Sequence, residues 1–260
     1  MFKERYGIKF FSQADLEVPG AVHAFLARAG GVSPPPFDSL NFDGRDSDAM
    51  ENVAANRARL GRALDIPEGR LVTLNQVHGS SILLVDEAYM RRPLPVDADA
   101  AITALANVPI GILTADCLPL LLYDPVRKAL GAAHAGWKGA AARVAKKTVE
   151  AMSKEFGTRP EDVRASAGPY IGVCCYAVGE EVFSAFMDAF GGAASGFFKR
   201  MGGHLYLDIG RAVEFDLESS GVPSGNITSV MRCTSCNQGL FFSYRRDGGK
   251  TGRQLSFIML

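Results

Sequence analysis

The stretch from Val108 to Tyr123, VPIGILTADCLPLLLY, constrains the fold more than any other part of the chain. It is too short, and at Asp116 too polar, to span a membrane. Its halves, 108–114 and 118–123, read as two buried strands, because short continuous apolar runs bounded by turns are the signature of strands covered on both faces. The turn Asp124-Pro125 then leads to a third strand over 129–134. A hairpin centred between Pro125 and Val126 sets Cys117 directly opposite His134, with Cβ atoms about 5 Å apart.

The rest of the pattern mixes strands with helices. Strands are expected at 21–27, 71–77, 81–86, 163–167, 204–209, 226–231 and 253–260, and 71–86 reads equally as one bent strand. Segment 98–105 fits either strand or helix. Helices are expected over 48–63, with Asp48 as N-cap and Glu51 completing a capping box, and over 138–156, 178–190 and 210–220, the second closed by Gly157. There is no strict β-α-β rhythm and no GxGxxG after a strand, so a mixed α+β fold is expected, sheets covered by helices, rather than a Rossmann fold or barrel. No linker or repeat divides the 260 residues, which read as a single domain over 1–260.

Formal net charge is zero. A nucleic-acid or anionic-membrane partner normally demands a basic excess, so neither is expected; a small anionic substrate needs only a few local cations. The N-terminus lacks a secretory pattern, and five cysteines in a chain of this size fit a reduced, cytoplasmic protein. A monomer is expected.

Histidine is scarce, with four in all, and two of them, His78 and His134, end apolar segments beside Gly79 and Ala135-Gly136. With Cys117 they admit two readings. A thiolate beside an imidazole is a nucleophilic dyad. Two imidazoles and a thiolate are also three ligands for zinc, and three protein ligands with one position open mark a catalytic site. Asp116 is a candidate general acid/base, or a partner for a ligand histidine. Lys138, beside the strand-to-helix passage at His134-Ala135-Gly136, and Arg245 and Arg246 in SYRRDG with Arg253 in the following TGR are candidate anion binders, as is Arg45 in the NFDGR loop. Of the remaining thiols, Cys174 and Cys175 are adjacent, and Cys233-Thr234-Ser235-Cys236 lacks the second CxxC of a zinc ribbon. They read as structural, with a redox role as the alternative.

The strings NQVHGSSILLVD, GILTADCLPLLLYDP, AAHAGWKG, GPYIG, FFSYRRDG and TGR together resemble the YfiH-like family, known as laccase-domain or polyphenol oxidoreductases and as purine nucleoside phosphorylases. The likeness runs from about Phe37 to the C-terminus. It implies an α/β/β/α arrangement, central sheets face to face with helices outside. It implies one zinc held by His78, Cys117 and His134, phosphorolysis of adenosine, inosine and methylthioadenosine, and adenosine deamination. Some members look instead like hydrolases that edit cell-wall precursors. The family's GPxIG often carries Cys where Tyr170 stands, a departure expected to alter the pocket wall. Copper also suits such ligands, with Met201 or Met231 as an axial candidate, but a multicopper oxidase needs far more histidines than four.

Overall fold

In a computed structural model, which describes residues 1–17, 20–45 and 48–260, the first elements are β1 (Phe2–Arg5), β2 (Ile8–Phe11), β3 (Val22–Leu26), α1 (Met50–Leu64), β4 (Val72–Thr73), β5 (Ile82–Leu84), α2 (Glu87–Arg91), β6 (Ala100–Thr103), β7 (Ile110–Thr114), β8 (Leu118–Asp124) and β9 (Ala129–Ala135). There follow α3 (Trp137–Ala141), α4 (Val144–Phe156), β10 (Arg164–Ala167), β11 (Ala177–Val178), α5 (Glu180–Phe190), β12 (Phe198–Met201), β13 (His204–Leu207), α6 (Ile209–Glu218), β14 (Ile227–Ser229) and β15 (Gln254–Met259). Two six-stranded mixed sheets run in the orders β1-β2-β3-β15-β7-β4 and β14-β10-β8-β9-β6-β5, and β11-β13-β12 form a small third one.

Period-two alternation explains the layering. Along β8, Leu118, Leu120 and Leu122 pack with Val144, Val149, Val182 and Phe186 of the helices. The alternate residues Leu121 and Tyr123 pack with Phe25, Ile110, Ile112 and Ile258 of the opposite sheet. The strand is therefore covered on both faces, which is why its sequence is apolar without interruption. On the far side of the first sheet, Ile8, Leu26 and Phe257 pack on Leu60 and Leu64 of α1. The order is helix, sheet, sheet, helix, as the family resemblance implies.

The most apolar stretch is split between the two sheets: β7 lies in the first and β8 in the second. Ala115-Asp116-Cys117 is the crossing. Likewise β4 pairs with β7 in the first sheet and β5 with β6 in the second, so 71–86 is two strands and not one bent one. His78 lies on that crossing. Segment 98–105 is a strand.

Several expectations need correction. The β8–β9 hairpin pairs Pro119 with His134 and Asp124 with Ala129, so its centre lies between Val126 and Arg127. The Asp124 carboxylate accepts the N–H groups of Val126 and Arg127 at 2.8 and 3.0 Å, and Lys128 turns left-handed at φ 51°, which lengthens the turn to four residues. Cys117 thus falls two places from direct opposition to His134. A shift of two preserves the face, whereas a shift of one would invert it. The helix expected over 138–156 breaks at Arg143, φ 62°. Asp216 of α6 accepts the Lys146 N–H at 2.9 Å and ion-pairs with Arg143, so the first turn of α4 is satisfied by another helix. Helix α1 starts after Ala49 with no side-chain cap; Asp48 instead accepts from Ser33, Asn41 and Asn52, tying the preceding loop together.

Candidate metal centre

The two crossings bring their side chains to the end of β9. The loop bearing His78 is fixed from both sides. Gln76 exchanges two hydrogen bonds with the Leu113 backbone, at 2.8 and 2.9 Å, as a strand would. Asp99, just before β6 and fully buried, accepts the backbone N–H groups of Val77, His78 and Gly79 at 3.3, 2.9 and 2.6 Å. His78 is left-handed, φ 61°, a conformation that costs free energy in a non-glycine residue and is held here by those three bonds. Its Nε2 lies 3.8 Å from the Cys117 sulfur.

His134 is buried, its Nδ1 2.8 Å from Asp99 Oδ1, which leaves Nε2 for an ion. This is the carboxylate–histidine arrangement that fixes a metal ligand's tautomer and orientation. Ligand atoms of His78, Cys117 and His134 lie within 4.8 Å of one another. Tetrahedral zinc with bonds of about 2.0–2.3 Å needs separations of about 3.3–3.8 Å, so modest closure suffices. Gly136 makes room: a Cβ there would stand 2.8 Å from His78 Cδ2 and 3.2 Å from the Cys117 sulfur. The donor set and the space fit a soft or borderline divalent ion with one position open to the cavity.

Without an ion, the groups hold one another in charged form. Burial pushes the Cys117 thiol up, but the His134 imidazole beside it, with hydrogen bonds from both histidines, brings it down to about 6. Burial lowers His134, yet the Cys117 sulfur and Asp99 lift it to about 9. Burial also opposes ionisation of Asp99, and its bonds to His134 and to the Gly79 N–H outweigh it.

The centre opens into a cavity of about 740 Å³ lined also by Asp43, Arg45, Trp137, Tyr176, Tyr244, Arg245 and Arg253, within the range of small-molecule sites. Asp116 reaches the same cavity but its carboxylate is committed: Oδ1 accepts from Thr234 at 2.5 Å, and Oδ2 from Ser243 and the Arg245 N–H at 3.0 and 2.7 Å. The carboxylate that supports a candidate ligand histidine is Asp99, which sequence reasoning missed. Its signal was an acid immediately before the buried segment AAIT.

The candidate cations divide. Arg45 and Arg245 line the cavity; Lys138 and Arg246 do not. The Arg45 guanidinium is held by Asp43 at 2.8–3.0 Å, and Arg245 donates to the carbonyls of Ala177 and Cys175 at 2.9 and 3.4 Å. Lys138 lies over the Trp137 ring. Arg246 is consumed by Asp247 and by the carbonyls of Thr234 and Phe241. Arg253, the third arginine expected from sequence to bind an anion, also lines the cavity, with its guanidinium over Tyr244. Tyr170 points toward the start of α6, with its hydroxyl where a Cβ on Gly210 would lie. It does not line the cavity, so the departure at GPYIG leaves this wall unchanged. No methionine lines it either, Met201 and Met231 included. Of the other histidines, His23 is buried in β3 and His204 lies on β13.

A family model described as multi-copper polyphenol oxidoreductase laccase matches residues 22–260. The chain belongs to that family. Relatives of this laccase-like family bear another name. A Deinococcus radiodurans protein called purine nucleoside phosphorylase is 42% identical over 256 residues, covering 98% of this chain and 94% of that one. The Escherichia coli purine nucleoside phosphorylase YfiH is 40% identical over 242 residues, 93% and 94% of the two chains. Among solved structures, the Bacillus licheniformis hypothetical protein YfiH superposes with a TM-score of 0.92 at 33% identity, covering 100% of this chain and 98% of its own. YlmD from Geobacillus stearothermophilus gives 0.91 at 33%, covering 99% and 97%. The laccase-like fold here contains no helix long and apolar enough to cross a membrane among the described residues.

Proposed function

We propose that the chain is a zinc-dependent purine nucleoside phosphorylase acting on adenosine, inosine and methylthioadenosine, with adenosine deaminase activity at the same centre. One observation carries the reading: a His78–Cys117–His134 cluster with an open side faces a cavity that holds both arginines and aromatic rings. The relatives' name, purine nucleoside phosphorylase, supports the phosphorylase part of it.

His78, Cys117 and His134 would hold the ion, and Asp99 keeps His134 pointed at it. When bound, the ion supplies a Lewis acid and lowers the pKa of water, the chemistry that hydrolytic removal of the adenosine amino group needs. Arg245 and Arg253 are given the phosphate, with Arg45 lining the same cavity; guanidinium takes phosphate bidentately. Tyr176 and Tyr244 line the same cavity and supply aromatic surface for a purine. A phosphate oxygen bonds to the ribose C1′ as the C1′–N9 bond breaks; the electron pair leaves with the purine, which takes up a proton. Aligning phosphate and sugar is worth several kcal/mol of barrier, and that is the role given to the arginines. The test supplies adenosine and phosphate to the zinc-loaded protein: adenine with ribose 1-phosphate, and inosine, are expected, and a chelator abolishes both. If zinc-loaded protein yields neither product, the reading fails.

The charged Cys117–His134 pair, oriented by Asp99, favours one second reading, a thiol hydrolase acting on cell-wall precursors. It predicts inactivation by iodoacetamide and indifference to chelators.

A further inference from the structure

The other four cysteines converge. Cys174 and Cys175 lie in the turn after Ile171; Cys233 and Cys236 lie between β14 and the loop that carries Arg245. All four sulfurs lie within 4.8 Å of one another. That of Cys236 is 3.6 Å from Cys174 and 3.4 Å from Cys175. These separations exceed a disulfide bond, which is about 2.05 Å. They fall just short of the spacing of sulfurs around tetrahedral zinc, about 3.8 Å for bonds of about 2.3 Å, so a slight opening admits the ion.

We propose that Cys174, Cys175, Cys233 and Cys236 form a second, structural metal site that binds one zinc ion through four thiolates, independent of the centre at His78.

The backbone is arranged for this. Tyr170 pairs with Cys233 as an isolated parallel bridge, and the Thr234 N–H donates to the Tyr170 carbonyl at 3.0 Å, fixing the two loops in register. The Cys175 N–H closes a turn on the Gly172 carbonyl at 2.9 Å. Gly172 is required to be small: a Cβ there would lie 3.3 Å from the Cys174 sulfur and 3.3 Å from Cys233 Cβ. Backbone hydrogen bonds from Gly172 and Cys236 reach Cys233, the support that thiolate ligands use. Asn237 donates twice to the Cys233 carbonyl, closing the CxxC turn. Cys174 and Cys236 are exposed, which gives an ion a way in. Four sulfurs and no oxygen or nitrogen select zinc over magnesium or calcium.

The site has a purpose in the architecture. Thr234, between the two cysteines of the CxxC, holds Asp116 Oδ1, next to Cys117. The carbonyls of Cys175 and Ala177 receive Arg245. A four-thiolate clamp therefore joins the loop that braces the first centre to the loop that forms the cavity wall at Tyr176 and Ala177.

The test uses the full chain, purified under reducing conditions and loaded with zinc chloride. Wild type is expected to retain two zinc per chain. His78→Ala, which leaves all four cysteines in place, is expected to retain one, with four sulfur neighbours near 2.3 Å by X-ray absorption. Cys233→Ser/Cys236→Ser removes that zinc and leaves the other; if that variant fails to fold, the His78→Ala spectrum still decides. Zinc absent from the His78→Ala protein, nitrogen ligands in its spectrum, or a mass deficit showing disulfides among the four cysteines in reductant-treated protein overturns the proposal.

Discussion

The two sulfur-bearing clusters of this molecule, linked through the Thr234–Asp116 hydrogen bond, are built to opposite plans. The first takes one sulfur and two imidazoles from strand ends and sheet crossings, has a buried carboxylate behind it, and faces a cavity. The second takes four sulfurs from two turns and has backbone amides behind it; its four sulfurs would fill a tetrahedron. Three ligands leave room for chemistry and four leave none. The contrast teaches that ligand number and surroundings, not the presence of cysteine, separate a reactive centre from a staple.

The largest expected effect tests the first plan. His78→Ala should lower kcat/KM for phosphorolysis by about 10³-fold, the several kcal/mol that an ion's charge provides, with little change in melting temperature because His78 is exposed. An equal fall in both would mean the first cluster is also a staple.

A histidine outside both clusters sharpens the comparison. His23 accepts the Gln13 N–H at 2.9 Å, and burial drives it down to about 4. A folded value depressed below the unfolded one gives stability that is complete above about pH 6.5 and lost as pH falls toward 4. The loss is about 3 kcal/mol at one pKa unit per 1.36 kcal/mol. Urea unfolding of wild type and His23→Gln across pH 4–7 measures it; parallel curves would assign the acid sensitivity elsewhere.

Asp99→Asn keeps the shape of the carboxylate but removes its charge from His134. It should weaken zinc at the first centre by 10–100-fold, with activity recovered at high zinc, while the zinc of the second cluster is unaffected. Competition with a chromophoric chelator reads both sites at once.

The smallest effect concerns the staple. Cys233→Ser/Cys236→Ser should cost about 2 kcal/mol, a fall of roughly 4–8 °C in a chain of this size, measured by calorimetry with zinc present. An unchanged melting temperature would remove the clamp role while leaving the metal count to speak for itself.

Much of this was legible in the chain. The apolar run at 108–123 announced strands covered on both faces, because alternation disappears only when both sides are buried. His78, Cys117 and His134 stood out because each interrupts an apolar segment beside small residues. What escaped was long-range. The hairpin register depended on an Asp124 turn two residues longer than expected. The partner of His134 is Asp99, distant in the chain, and Asp116, adjacent to Cys117, turned out to be engaged by Thr234, Ser243 and Arg245. The second pair that the CxxC lacked was Cys174-Cys175, a spacing that matches no ribbon motif.

By itself the sequence determined which residues lie inside and the three side chains at the ends of buried segments, because burial and strand period act over a few neighbouring residues. Only the tertiary structure decided which carboxylate meets which histidine, which arginines reach the cavity and which are consumed by carbonyls, and that four thiols from two turns share one point. Those outcomes depend on contacts between distant segments and on side-chain hydrogen bonds that span as many as 212 residues, and no local pattern encodes the partner of a polar group that distant.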